Sequence, residues 1–519
     1  MPATIDGDEP LSLWLLLRKI TTLSLPTVLL QITSLLPFPL TTLHLGLHHP
    51  PLLPPYALSN LTGNIIGVML IVGSLTSLDT LLPVYYKSKP EKMGLIILRS
   101  VVITMTIVLP SLLIILVSTK TSGPLHSILL SVNVEETLIS NITIYLHYFS
   151  PSLIFILFSN VINKFLLAQD VAWLQVWVGG FTVMFHWGML KVYVGEEGDD
   201  SVVGGDERVM ERVGMLHFLT PTVEFSLRLF AILILRPHDP STIRTPTLSD
   251  LFIPQKDVVS FTQQLVISLN GILSLSEWLY WEVLTFMISS LQDNIEISAQ
   301  AVVYSLIPIF YMLPLGVAIG SGVVVGQKIG ERREEEVRRC LRLTGGLGIA
   351  CGISMSLFCS IFKTPLINTF TAQPEVIRTL EKIWPGVCIF IFVDQNFAVN
   401  GGILRALGLQ STMSKYILIM LYGFGVPLAY MVVIKIEKGI EGLWQMMFAP
   451  YIGLIVLIAR KWIYVDITEV MDRLNKGEEG PEQNGDDRHG LLKHFNDNDS
   501  DDDKLELIEG GDVEMIDYK

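Results

Sequence analysis

The chain has 519 residues, half of them hydrophobic and only 17% charged, with a mean hydropathy of +0.51 and a formal net charge of −14. A soluble domain carries about a quarter charged residues, so this composition excludes an ordinary aqueous surface. It points to a multi-pass protein in a lipid bilayer, and no nucleic acid is expected as a partner.

A span needs roughly 20 mostly apolar residues to cross about 30 Å of hydrocarbon. In chain order twelve stretches qualify, near 20–43, 56–83, 95–118, 140–166, 171–193, 213–235, 262–290, 299–326, 343–362, 383–408, 413–435 and 441–464. They are too long and too uniformly apolar for barrel strands, which predicts an all-α membrane protein. The start shows no short apolar core followed by a small-residue cleavage site, so the first span is expected to direct insertion itself. In the sixth span Glu224 and Arg228 stand at i,i+4 and are expected to pair.

Charge suggests an orientation with both termini cytoplasmic. The cytoplasmic flanks then collect Arg18, Lys19, Lys87, Lys89, Lys92, Lys164, Arg244, Lys256, the cluster from Lys328 to Arg342, Arg405, Lys415, Arg460 and Lys461. The other side holds about half as many basic residues. The fourth span ends in NVINKFLLAQD from Asn160 and the tenth in NGGILRALGLQ from Asn400, a weak repeat of base, Leu and Gln. The expected domains are a cytoplasmic N-terminus (1–18), an N-lobe (19–237), a cytoplasmic linker (238–260), a C-lobe (261–465) and a tail (466–519). Composition and spacing alone thus describe a twelve-helix, two-lobed carrier.

The four cysteines, Cys340, Cys351, Cys359 and Cys388, fall in or beside later spans and read as buried fillers. From Gly477 onward there are 15 acids against 4 bases, so the tail should be disordered and solvated. Its DNDSDDDKLELIE stretch from Asp497 matches no register of a calcium loop. DRHGLL from Asp487 and DKLELI from Asp503 have the form of acidic dileucine signals, so sorting adaptors are possible partners there.

The seventh span contains SEWLYWEVLTF, residues 276–286, and puts Glu277 and Glu282 deep in the apolar layer. Five residues at 100° each set them about 140° apart on a helix, so they do not share a face. Trp281 lies on the face of Glu277 and Trp278 on that of Glu282. Asp394 is near the middle of the tenth span, in FVDQNFAVNGG. A charge there costs roughly 3 kcal/mol or more and is usually turned toward a cavity or partner; a buried hydrogen bond that merely locks helices is the competing explanation. A desolvated carboxylate lets a proton and a cationic ligand compete for one group, and indole or phenol faces add attraction for a cation. Asp79, at the end of the second span, reads as interfacial.

These residues carry a resemblance. EWLYWE resembles the seventh-helix signature of the multidrug and toxic compound extrusion (MATE) transporters, and EISAQAVVYSL from Glu296, YMLPLGVAIGSGVVVGQKIG from Tyr311 and NGGILRALG from Asn400 resemble the motifs that follow it. In the first half Pro26, Gln31, HLG from His44, SNLTG from Ser59, LDTL from Leu78, Gly94 and Arg99 follow in order. The resemblance spans roughly Leu13 to Tyr464. It implies two pseudo-symmetric six-helix lobes around a central cavity, with Glu277, Glu282 and Asp394 coupling protons or cations. It further implies Trp278, Trp281, Tyr304, Tyr311, Gln31 and Asn60 as cavity candidates. Departures include Ser305 where some animal members have Glu, Val324 where an arginine is expected, and Pro83 and Val84 after Asp-Thr-Leu. The acidic connection GEEGDDSVVGGDERVMER, after the fifth span, is longer than usual.

The resemblance implies a monomeric proton-coupled antiporter, not an enzyme. It needs no cofactor beyond a proton or sodium gradient and exports organic cations, drugs or amphipathic metabolites from the plasma membrane or a vacuolar or endosomal membrane. Export of organic anions such as citrate, and a non-transporting scaffold acting through its tail, are the alternatives.

Overall fold

The computed structural model describes residues 11–476, apart from 119–122, 124, 125, 128, 129, 131–135, 196–204, 243–249, 251–257, 292 and 372. Half of the acidic connection after the fifth span, most of the linker and the tail with its dileucine pieces lie outside the described residues. Helices follow one another in the expected order: α1 (Leu13–His48), α2 (Pro50–Ser88), α3 (Pro90–Val117), α4 (Leu138–Phe149 with Ser152–Leu167, bent by 47°), α5 (Trp173–Met189), α6 (Gly205–Leu235), α7 (Phe261–Ser274 with Glu277–Ser289), α8 (Asn294–Gly330), α9 (Glu334–Ile361), α10 (Pro374–Ala406), α11 (Gln410–Lys435), α12 (Gly439–Ile463) and a short α13 (Ile467–Lys476). Among the described residues nine of these are long and apolar enough to cross a membrane, and α4 makes a tenth if its bent halves form one span. The twelve-rod layout includes α5, which Gln175 and His186 dilute, and α7, which is broken.

Local chemistry sets several helix starts. Ser260 caps α7 with Gln263 returning the bond, both at 3.2 Å. Asp293 caps α8 through Ile295 N at 2.8 Å and Glu296 N at 3.3 Å. The first span is longer than expected, and after Leu36 a new helical segment begins at Pro37. The seventh span is a correction: it is not one continuous helix over 262–290 but breaks at Leu275 and Ser276. At the break the Ser276 carbonyl accepts from Tyr280 N at 3.1 Å and also from the Tyr422 hydroxyl of α11 at 2.6 Å, which ties the second segment of α7 to α11.

The helix ends carrying Lys87, Lys92, Arg332, Arg338, Lys415, Arg460 and Lys461 lie on one face, called here the basic face. On that side the halves meet tightly along α1 and α8. A Cβ on Gly316 would stand 2.5 Å from the Val28 backbone, and one on Gly320 would stand 2.7 Å from Ser24. The G-x-x-x-G spacing thus lets two backbones touch without intervening side chains. Thr27 donates to the Gly316 carbonyl at 2.8 Å, Lys19 to Gln327 at 2.6 Å, Thr80 to the Arg405 carbonyl at 2.6 Å and Gln410 to Thr80 at 2.7 Å, all across the two halves. The first segment of α7 is tied to the first half, because Gln264 donates to the Ile96 carbonyl and to Ser100 and Ser268 donates to Ser77. Within the first half Arg228 pairs with Glu224 at 2.6 Å, as their spacing predicts, and also donates to Ser159.

Candidate functional site

The break in α7 makes Glu277 the first residue of its second segment, where the backbone turns and the side chain leaves the old helix face. Glu277 is 4% exposed, and its carboxylate accepts from the Tyr451 hydroxyl at 2.9 Å. Trp281, one turn on, donates its indole N–H to the same Tyr451 oxygen at 3.1 Å. Around this chain the rings of Tyr280, Phe390, Phe397 and Trp444 pack on Trp281 or Tyr451 at centroid distances of 5.1–6.2 Å. Trp444 is itself oriented by its bond to Gln300 at 3.1 Å. The carboxylate therefore sits in an aromatic enclosure built by α7, α8, α10 and α12.

Asp394 on α10 is 2% exposed and lies within electrostatic reach of Glu277, and Tyr311 on α8 is within reach of both. Two buried carboxylates that feel one another's charge are most stable when they share a proton or a cation. Glu282 stands apart from this group. It is partly exposed and accepts from the Tyr304 hydroxyl, so Tyr304 serves Glu282 while its ring edges Trp281 at 6.5 Å. The pairing of Trp278 with Glu282 expected from four-residue spacing is replaced by this phenol, and Trp278 is 37% exposed. In the other half Gln31 is half-buried, and Asn60 accepts from Asn64 at 3.2 Å. The structure thus brings Glu277, Asp394, Trp281 and Tyr311 together, sets Glu282 and Tyr304 beside them, and leaves Trp278, Gln31 and Asn60 outside that enclosure.

Two residues escaped the sequence reading. Tyr451 is one of two tyrosines in the last predicted span, and nothing in FAPYIGLIVL marks it except its place in an apolar run. Arg405 lines a small cavity with Asp79, Ala318, Gly322 and Gly402 below the carboxylates and is within electrostatic reach of Glu277. Asp79 is more than interfacial: it holds Lys164 at 2.5 Å on the same floor.

Residues 271–431 match the family MatE. Human multidrug and toxin extrusion protein 2 is 33% identical over 175 residues, which covers 33% of this chain and 29% of that protein. Zebrafish (Danio rerio) multidrug and toxin extrusion protein 1 is 28% identical over 170 residues, covering 32% and 28%. The sequence match thus spans under a third of these two curated relatives. Over that stretch the chain is similar to the MATE family. The fold extends the likeness beyond the matched stretch: the crystal structure of the eukaryotic MATE transporter AtDTX14 superposes with a TM-score of 0.75 at 16% identity, covering 89% of this chain and 99% of that one. The Vibrio cholerae MATE transporter VcmN, in its bent form, gives 0.67 at 14% identity over 90% and 99%. A MATE fold accounts for the two-halved layout and for a polar site placed between membrane helices.

Proposed function

We propose that this protein is a MATE-type transporter, a proton-coupled antiporter that exports organic cations, drugs or amphipathic metabolites by alternating access. The observation that carries the reading is the Glu277 carboxylate, buried in an aromatic enclosure beside Asp394. A cation docks there against ring faces, worth about 2 kcal/mol when desolvated, and neutralises the carboxylates. A proton competes for the same oxygens, so protonation releases the cation and deprotonation allows rebinding. The basic face is cytoplasmic by the positive-inside rule, and protons enter from the opposite side. Each pH unit supplies about 1.4 kcal/mol per proton, and each 100 mV of membrane potential about 2.3 kcal/mol more. The working unit is a monomer in the plasma membrane or in a vacuolar or endosomal membrane.

The test is a pH jump on proteoliposomes loaded with a fluorescent organic cation, with and without sodium. Proton-driven exchange is expected without sodium and is lost in Glu277→Gln; pH-driven efflux retained by a folded Glu277→Gln protein removes Glu277 from the coupling. Export of organic anions is a second reading, favoured by Arg405 on the cavity floor. Faster movement of citrate than of the cation in the same vesicles decides for it.

A further inference from the structure

Helix α13 lies beyond the last membrane helix and has no part in the exchange described above. Its sequence ITEVMDRLNK puts Ile467, Val470, Met471 and Leu474 at i, i+3, i+4 and i+7, and these are 0–4% exposed while Thr468 and Glu469 face out. Asp466 caps it through Thr468 N at 2.9 Å. A ten-residue helix this amphipathic is stable only when docked, since isolated helices shorter than about 12–15 residues are marginal. What it docks on decides its role.

It spans both halves. On the second half, Arg473 donates to the carbonyls of Leu407 at 3.0 Å and Gly408 at 3.4 Å, in the turn joining α10 to α11. Asn475 donates to the Ile329 carbonyl at the end of α8 at 3.0 Å, and Asp472 meets Arg332 at 3.1 Å. On the first half, Lys89 at the end of α2 donates to the Asn475 carbonyl at 2.9 Å. The seam itself runs beneath Leu474: a Cβ on Gly408 would stand 3.2 Å from a Leu474 methyl and 3.4 Å from the Thr80 methyl. Thr80 is the residue that bonds Arg405 and Gln410 across the halves. The helix therefore covers the place where the two halves join on the basic face, with Asn475 bonded to both sides.

We infer that α13 is a strap that holds the basic face closed and must leave its seam before the halves separate there. The inference rests on the alternating-access reading. Separating α2 from α8 and α10 breaks the Lys89 bond or the Ile329 bond, because one short helix cannot follow both. Its release therefore sets the balance between the closed and open basic face, and the acidic tail that begins at Gly477 continues directly from it.

Spin labels at Lys87→Cys and Lys415→Cys, both exposed and on opposite halves, report that balance in full-length protein reconstituted in lipid. Arg473→Ala with Leu474→Ala is expected to raise the long-distance population about tenfold. Lys89→Ala, which removes the bond to the first half and leaves the second-half bonds in place, is expected to raise the same population. Unchanged distances in both variants overturn the strap. The distance readout needs no substrate: wild-type efflux with strap-independent distances leaves the transport reading standing, whereas strap-dependent distances without any efflux support the strap and sink that reading.

Discussion

Each half of the molecule buries a polar cluster, and the two are chemically unlike. In the second half, Glu277 and Asp394 bring carboxylates together inside a ring of aromatics. In the first half, Thr41 lies 2.9 Å from His186 Nε2 and 3.0 Å from His217 Nε2, and Thr220 lies 2.8 Å from His186 Nδ1. Thr41 also donates to the Pro37 carbonyl at 2.9 Å and Thr220 to the Leu216 carbonyl at 2.8 Å, so hydroxyls, imidazoles and helix carbonyls form one linked network. That cluster completes itself with neutral groups and fastens α1, α5 and α6. The carboxylate cluster sets acid against acid, an arrangement that favours uptake of a proton or a cation. The difference teaches where exchange chemistry belongs: a self-satisfied buried network makes a fastener, and a pair of buried acids makes a site.

The comparison breaks most sharply at Glu277. Glu277→Gln should lower proton-driven efflux by about a thousandfold, within the range for losing a positioned proton carrier, while the protein stays folded by size-exclusion chromatography. Trp281→Ala removes the ring that packs on Phe390 and Trp444, and thermal unfolding in detergent should register a loss of about 3 kcal/mol. His217→Leu should cost about 2 kcal/mol in the same measurement, because Thr41 loses a buried hydrogen-bond partner, but leave the pH profile of efflux where it was. A His217→Leu protein that folds yet loses pH-driven efflux would invert the assignment of the two clusters. Tyr451→Phe keeps the ring and deletes the hydroxyl shared by Glu277 and Trp281, and is expected to reduce efflux about tenfold with little change in folding. The smallest effect is expected of Trp278→Ala, under about 0.5 kcal/mol and less than twofold in efflux, since the indole is already 37% exposed.

Interactions within one helix were legible in the residues. Glu224 and Arg228 pair because four residues bring side chains to one face of any helix, whatever surrounds it. The separation of Glu277 from Glu282 followed from the same geometry: one is buried against α12 and the other turns to Tyr304 on α8. The closeness of Asp394 to Glu277 was suggested by the cost of placing a charge in hydrocarbon. The break at Leu275 was not legible, since SLSE contains neither proline nor glycine, and the hydroxyl that bonds the backbone beside it comes from α11. Trp278 and Trp281 looked equivalent as residues; only the packing of α7 buries one and exposes the other.

The sequence by itself determined the solvent, the helical form, the order of the spans and which acids are costly enough to need a reason. These follow from transfer energies and helical periodicity, which act on neighbours along the chain. The tertiary structure decided which acid meets which partner, where α7 breaks, that Tyr451 bridges Glu277 to Trp281, and that α13 crosses the seam. Those depend on which helices touch, and a contact such as Lys89 with Asn475, 386 residues apart, is set by packing of the whole chain.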